Sequence, residues 1–304
     1  MIGNECLAFL HSLFGDSEMK VHRFEDASEF YQQVKDYLLS DEAQHCLLLS
    51  IVNTLILYPG RYNCNLYLAT VETNGNIVAV AMRIPPRKLL LSKIQDNAAV
   101  EAIAQDLHDD RQQLPGVNSL AEQAKAFTQA WLALTGKTSE LGMQLRIHQL
   151  DKVEPIARCN GYLRHATQDD FDLLVDWYKA FSVEAFGAVK GNEERSVKGD
   201  LSQKNLYLWQ DRTPVSIVCG KVSTPNGSWI GPVYTPPEYR RKGYATSCVA
   251  ALSQILLDRG CRYCFLFTDL ANLTSNHIYR IIGYQPVCDW HDYSFSEDIA
   301  DATA

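Results

Sequence analysis

The stretch VYTPPEYRRKGYATSCVAAL, residues 233–252, carries a strand code and a helix code with a cationic turn between them. Val233, Tyr234 and Thr235 suit a strand, and Pro236 and Pro237 end it. Further on, Ala245, Val249, Leu252, Ile255 and Leu256 recur at helical spacing, and Gly260 is a C-terminal stop. Arg240, Arg241, Lys242 and Gly243 fill the turn. A helix N-terminus has unpaired N–H groups and a positive dipole end, so it binds anions. A glycine ahead of it adopts positive φ and lets a phosphate reach the backbone. Arg and Lys add charge-assisted hydrogen bonds. The turn therefore suits a di- or polyphosphate. It equally suits a solvated basic turn, and the cluster alone does not choose between them.

The background makes that cluster informative. The chain has 304 residues and a formal net charge of −8, which argues against non-specific binding to nucleic acid or anionic membrane. Apolar residues make up 46% and charged residues 21%, a globular composition long enough for two domains. No apolar run approaches the roughly 18 residues of a membrane span. The N-terminal MIGNECLAFLHSLFGD lacks the positive n-region and cleavage site of a signal peptide. Met19 opens a cleaner start, and the first 18 residues read as a loose or misassigned leader. The nine cysteines are odd in number and scattered, which fits a reducing cytoplasm. Cys261-Arg-Tyr-Cys264 has no second pair and no nearby His. It reads as two residues of a buried strand, and no metal is expected.

Asn65-Leu66-Tyr67-Leu68 recurs as Asn205-Leu206-Tyr207-Leu208. Strand and turn signals follow each copy, with hairpin-type Asn-Gly pairs at Asn74-Gly75 and Asn226-Gly227. A helix precedes each copy, one capped at Asp26 or Ser28, the other at Thr167 with Asp170 three residues on. The expectation is a tandem repeat of one α+β unit with its join near 152–161. The domains are then 1–155 and 156–304. In this reading PGVNSLAEQAKAFTQAWLALTG (115–136) stands where the second copy has its cationic turn. NAAVEAIAQDLHDDRQQ (97–113) is an extra helical insert. The first copy keeps the fold and lacks the site.

Gly136-Lys137-Thr138 is no P-loop, because Trp131 stands where the first glycine is required, and no G-x-G-x-x-G occurs. Arg240-Arg241-Lys242-Gly243-Tyr244-Ala245, however, resembles the R/Q-x-x-G-x-G/A signature of the GNAT-type N-acetyltransferases. Asn272, Ser275, Asn276, Tyr279, Gly283 and Tyr284 are similar to the family's N-x-x-S-N-x-x-Y-x-x-x-G-F/Y segment, in the expected order. The resemblance is detailed over 205–288 and extends to 162; before that it rests on the repeat. It implies an α+β fold of two GNAT-like domains, each a twisted mixed central sheet flanked by helices.

The resemblance also implies a site. Backbone of Val233, Tyr234 and Thr235 would hold the pantetheine of acetyl-CoA. The N–H groups of Arg241, Lys242, Gly243, Tyr244, Ala245 and Thr246 would hold the pyrophosphate. Arg240 and Arg241 would face the 3′-phosphate or solvent. Asn272 would contact the pantetheine, or serve as a loop or cap residue. Ser275 and Asn276 belong to the same segment. Tyr279 aligns with the general acid, against core packing on its helix. The family's strand-five glutamate is Phe267 here, so that role is not carried over. Glu184 or Asp269 is then the candidate base, while His277 lies on a different helix face from Tyr279. Trp177, Phe181, Phe186 and Trp229 would line an acceptor pocket or fill core. The expectation is a cytoplasmic enzyme that acetylates a small amine, as a monomeric pseudo-dimer or a homodimer. The alternatives are a tandem GNAT-fold transferase with another acyl donor, and a non-catalytic CoA-binding sensor or scaffold.

Overall fold

The computed structural model describes residues 19–157 and 159–296, so the leader reading falls outside the described residues. Contacts divide the chain into two units, Met1–Gln144 with Asp289–Ala304, and Leu145–Cys288.

In the first unit the order is β1 (Lys20–Arg23), α1 (Ala27–Ser40), α2 (Cys46–Leu57), β2 (Tyr67–Thr73), β3 (Asn76–Arg83), β4 (Leu90–Leu91), α3 (Asn97–Asp109), β5 (Gly116–Leu120) and α4 (Ala121–Thr135). Strands β1 to β4 are antiparallel neighbours in that order, and Leu89 bridges in parallel to Val117 of β5. Asp26 caps α1 by accepting from the N–H groups of Ser28 and Glu29. Asn74 and Gly75 both take positive φ, as a two-residue hairpin requires.

β6 (Ser139–Leu150) leads into the second unit, where β7 (Tyr162–His165), α5 (Phe171–Phe186), α6 (Glu193–Ser202), β8 (Leu206–Asp211), β9 (Thr213–Val222), β10 (Gly227–Tyr234), α7 (Tyr244–Asp258), β11 (Tyr263–Asp269) and α8 (Leu273–Ile282) follow. β12 (Gln285–Phe295) closes the chain. Here the strand order is β6-β11-β10-β9-β8-β7, all antiparallel except β10 with β11. One face packs on α7 and α8 through residues such as Trp209, Ile230, Leu252 and Leu266. The other packs on α5 and α6 through Leu174, Trp177, Ile217 and Tyr234.

Three sequence expectations change. The units do not end at 155/156, because Leu145–Leu150 of β6 pair with β11 in the second unit. Trp290–Ser294 of β12 in turn pair with β5 in the first unit. Strand pairing is non-local, so a repeat boundary does not reveal which copy receives an edge strand. Next, 97–113 is not an insert. It is α3, standing between β4 and β5 as α7 stands between β10 and β11. The counterpart of the cationic turn is therefore the start of α3, and α4 corresponds to α8. Finally, Asn226-Gly227 is not a two-residue hairpin. The turn falls earlier, at 223–226, and Gly227 is a strand residue where an added Cβ would lie 2.2 Å from Cε2 of Phe265.

Helix α5 is fixed at its start by a carboxylate. Asp170 accepts from Thr167 N–H at 2.8 Å and from both terminal nitrogens of the Arg164 guanidinium at 2.7 Å. The Arg164 bonds hold its pKa below the usual 3.8. That stabilisation is present above the ordinary carboxylate pKa and is lost as pH falls through the depressed value. Asp170→Asn is expected to cost about 2 kcal/mol at pH 7. In urea unfolding, the gap to wild type should shrink only on the acid side of 3.8.

Candidate active site

The cationic turn leaves the start of α7 open to an anion. Gly243 is the N-cap, at φ +80°, and no side chain caps the helix. Arg241 also takes positive φ, at 61°. The first helical bond runs from Ser247 N–H to the Gly243 carbonyl at 3.0 Å. Among the described residues the N–H groups of 241–246 have no acceptor, a concave set of donors suited to a phosphate. The Tyr244 hydroxyl donates to Asp211 Oδ2 at 2.5 Å, and this bond pushes its pKa up to about 12. It ties the first turn of α7 to β8.

The start of α3 is the opposite case. Asp96 is its N-cap, and its carboxylate accepts from Ala98 N–H at 2.9 Å. A negative charge already sits where a phosphate would bind. The Ser119 hydroxyl also bonds the Leu91 carbonyl at 2.8 Å, and Gln123 Nε2 bonds the Ile94 carbonyl at 2.9 Å. The chain's own side chains fill the gap between β4 and β5.

In the second unit the corresponding strands fork. β10 and β11 pair in parallel from Gly227↔Tyr263 to Trp229↔Phe265. A bulge follows between Ile230 and Val233, over the cis Gly231-Pro232 bond. Beyond it, Val233 and Tyr234 pair with Val218 and Ile217 of β9. Ser216 supports this arm: its hydroxyl donates to the Tyr234 carbonyl at 3.1 Å and lies 2.8 Å from Thr235 Oγ1. No motif flags Ser216; only strand register places it there.

Tyr279 projects from α8 into the core under the fork. Burial pushes its phenol pKa above the ordinary value, so it stays protonated. Its hydroxyl has no hydrogen-bond partner among the described residues and is not sealed from solvent. The neighbouring Tyr284, edge-on at 5.8 Å, bonds Ser253 Oγ at 2.8 Å. An unbonded phenol that solvent can reach is free to donate to a ligand.

Comparison with family models places residues 171–284 in the acetyltransferase (GNAT) family. That match runs from the start of α5 to just past the end of α8, within the second unit. Most of the chain is similar to several solved structures. A GNAT acetyltransferase from Colwellia psychrerythraea aligns with TM-score 0.60 at 13% identity, over 91% of this chain and 100% of that one. A GCN5-related N-acetyltransferase from Sphaerobacter thermophilus aligns with TM-score 0.58 at 13% identity, over 91% and 95%. A tandem GNAT protein from the clavulanic acid biosynthesis pathway aligns with TM-score 0.50 at 11% identity, over 92% and 98%. At such identities these likenesses show the fold alone. No curated protein sequence matches the chain.

Against that GNAT frame the expected residues sort clearly. Arg240 turns inward: Nε donates to the Thr235 carbonyl at 2.9 Å and Nη2 pairs with Glu184 Oε2 at 2.5 Å. Lys242 Nζ bonds the Glu238 carbonyl at 3.1 Å, and Arg241 has no side-chain partner among the described residues. Asn272 caps α8 by accepting from Ser275 N–H at 3.0 Å. Asn276 accepts from Thr268 Oγ1 at 2.7 Å and donates to the Asp269 and Asn272 carbonyls, both at 2.9 Å. It pins α8 to the end of β11. Asp269 accepts from Ala271 N–H through Oδ1 at 2.8 Å. Among the described residues no His/Cys/Asp/Glu cluster could hold a metal, and no helix is long and apolar enough to cross a membrane.

Proposed function

We propose that this chain transfers the acetyl group of acetyl-CoA to the amine of a small acceptor, by direct attack with both substrates bound. The site is in the second unit, and the first unit holds no cofactor. The uncapped, glycine-led start of α7 carries this reading, set against the aspartate-capped start of α3.

Bound at this cradle, acetyl-CoA supplies an activated thioester carbonyl. The N–H groups of 241–246 receive its pyrophosphate. Backbone of Val233–Thr235, braced by Ser216 and Arg240, lines the arm of the fork that takes the pantetheine. A backbone N–H on that arm stabilises negative charge developing on the carbonyl oxygen. Tyr279 holds a proton for the departing thiolate. Positioning both reactants supplies much of the rate.

Of the two candidate bases the geometry favours Asp269. It shares a β11 face with Phe267, and among the described residues only its Oδ1 accepts a hydrogen bond, while Glu184 is held by Arg240. Asp269→Asn is expected to lower kcat/KM about 10- to 100-fold. Glu184→Gln should change it less than about 3-fold. Thiol release across pH checks both, and the reverse order would return the role to Glu184.

Isothermal titration with acetyl-CoA, followed by thiol release over an amine panel, tests the whole reading. One bound acetyl-CoA and amine-dependent release support it. Binding without release for any amine favours a CoA-binding sensor.

A further inference from the structure

Trp229 and Phe267 stack at the fork with ring centroids 4.7 Å apart and planes 24° apart. Trp229 is the register partner of Lys221, whose amine reaches Asp200 of α6 at 2.6 Å. Directly paired residues share a sheet face, so the indole lies on the face of α5 and α6. Phe267 stacks on it there. The pair sits on the two strands at the centre of the forked sheet, yet neither ring is fully buried. Neither belongs to the core that α5 and α6 cover. The indole edge lies along the bulge: a Cβ at Gly231 would come within 3.4 Å of Trp229 Nε1. That N–H has no acceptor among the described residues. A stacked, partly buried aromatic pair at the middle of a sheet, beside a backbone bulge, offers apolar surface to a ligand.

Resting on the transferase reading, we propose that Trp229 and Phe267 form the floor of the acceptor site and select a primary amine carried on a flat aromatic body. Tyr279 approaches from the α7 and α8 side, so the pair lies across the fork from it. A planar ring can lie against the pair and extend the stack, while its amine reaches the carbonyl in the fork.

The test compares 2-phenylethylamine, 2-cyclohexylethylamine and ethanolamine in acetyl-CoA-dependent thiol release. The wild type is expected to prefer the aromatic amine over ethanolamine by at least about 10-fold in kcat/KM, and over the cyclohexyl amine by about 3-fold. Trp229→Ala and Phe267→Leu should each remove most of that preference while acetyl-CoA binds within about 3-fold of wild type. A wild type without the preference, or variants that keep it, would overturn the assignment. Saturation-transfer NMR of 2-phenylethylamine on the CoA-bound protein gives a readout without turnover. Signal lost in Trp229→Ala supports the floor, and no signal in the wild type rejects it. Failure of the transferase reading is separate and shows as no acetyl-CoA binding in calorimetry.

Discussion

Gly243→Glu is expected to weaken acetyl-CoA binding by at least about 100-fold, while wild type binds a single equivalent. Two effects act together. Gly243 sits at φ +80°, where an L side chain is strained. Its Cβ would meet nothing closer than Cys159 Cβ at 3.8 Å, so the loss is not a steric clash with the protein. The larger effect is charge. A carboxylate placed among donors that await a phosphate repels the ligand and bonds the same N–H groups, much as Asp96 does at α3. Losing two charge-assisted bonds is worth about 3 kcal/mol or more, hence the factor of about 100. Gly243→Asn tolerates the left-handed backbone and adds no charge, so it should bind acetyl-CoA far better than the glutamate variant. Calorimetry with all three proteins decides the matter. Two equivalents on the wild type would mean that the aspartate-capped site of the first unit also binds.

Tyr279→Phe is expected to lower kcat about 100- to 1,000-fold with little change in the Kd for acetyl-CoA. The hydroxyl makes no bond among the described residues, so removing it leaves no orphaned partner. The melting temperature should therefore stay the same or rise slightly. That pattern separates an acid from a packing residue: a tyrosine that only filled core would leave kcat untouched. Thiol release under saturating substrates, with thermal melts of both proteins, reads the two quantities. An unchanged kcat would remove Tyr279 from the chemistry and leave the thiolate to take its proton from water.

Much of this was legible along the chain because it is local. The α7 stripe and its glycine stop, the capping box at Thr167, the Asp26 cap and the Asn74-Gly75 hairpin all lie within a few residues of their partners. The anion-binding turn is local too, since a helix start and the glycine before it are neighbours in sequence. Apart from the Asn226-Gly227 turn, the misreadings were non-local. Taking α3 for an insert came from matching a helix without the strand order that gives it its place. Glu184 could not be seen to be engaged, because its partner Arg240 is 56 residues away. The side chains of the motif residues Asn272 and Asn276 make hydrogen bonds within the fold, as Asn side chains at helix starts often do.

The sequence by itself determined the repeat, the element types and the turn that can cradle a phosphate, since each follows from propensities and spacings read over short windows. Tertiary structure alone decided that the first copy's equivalent helix start is that of α3, closed by Asp96. It also decided that β6 and β12 exchange between the units, and that Trp229 and Phe267 meet at the fork. These outcomes depend on strand pairing between distant segments, and a pairing register is fixed by the packing of whole sheet faces rather than by any short stretch of chain.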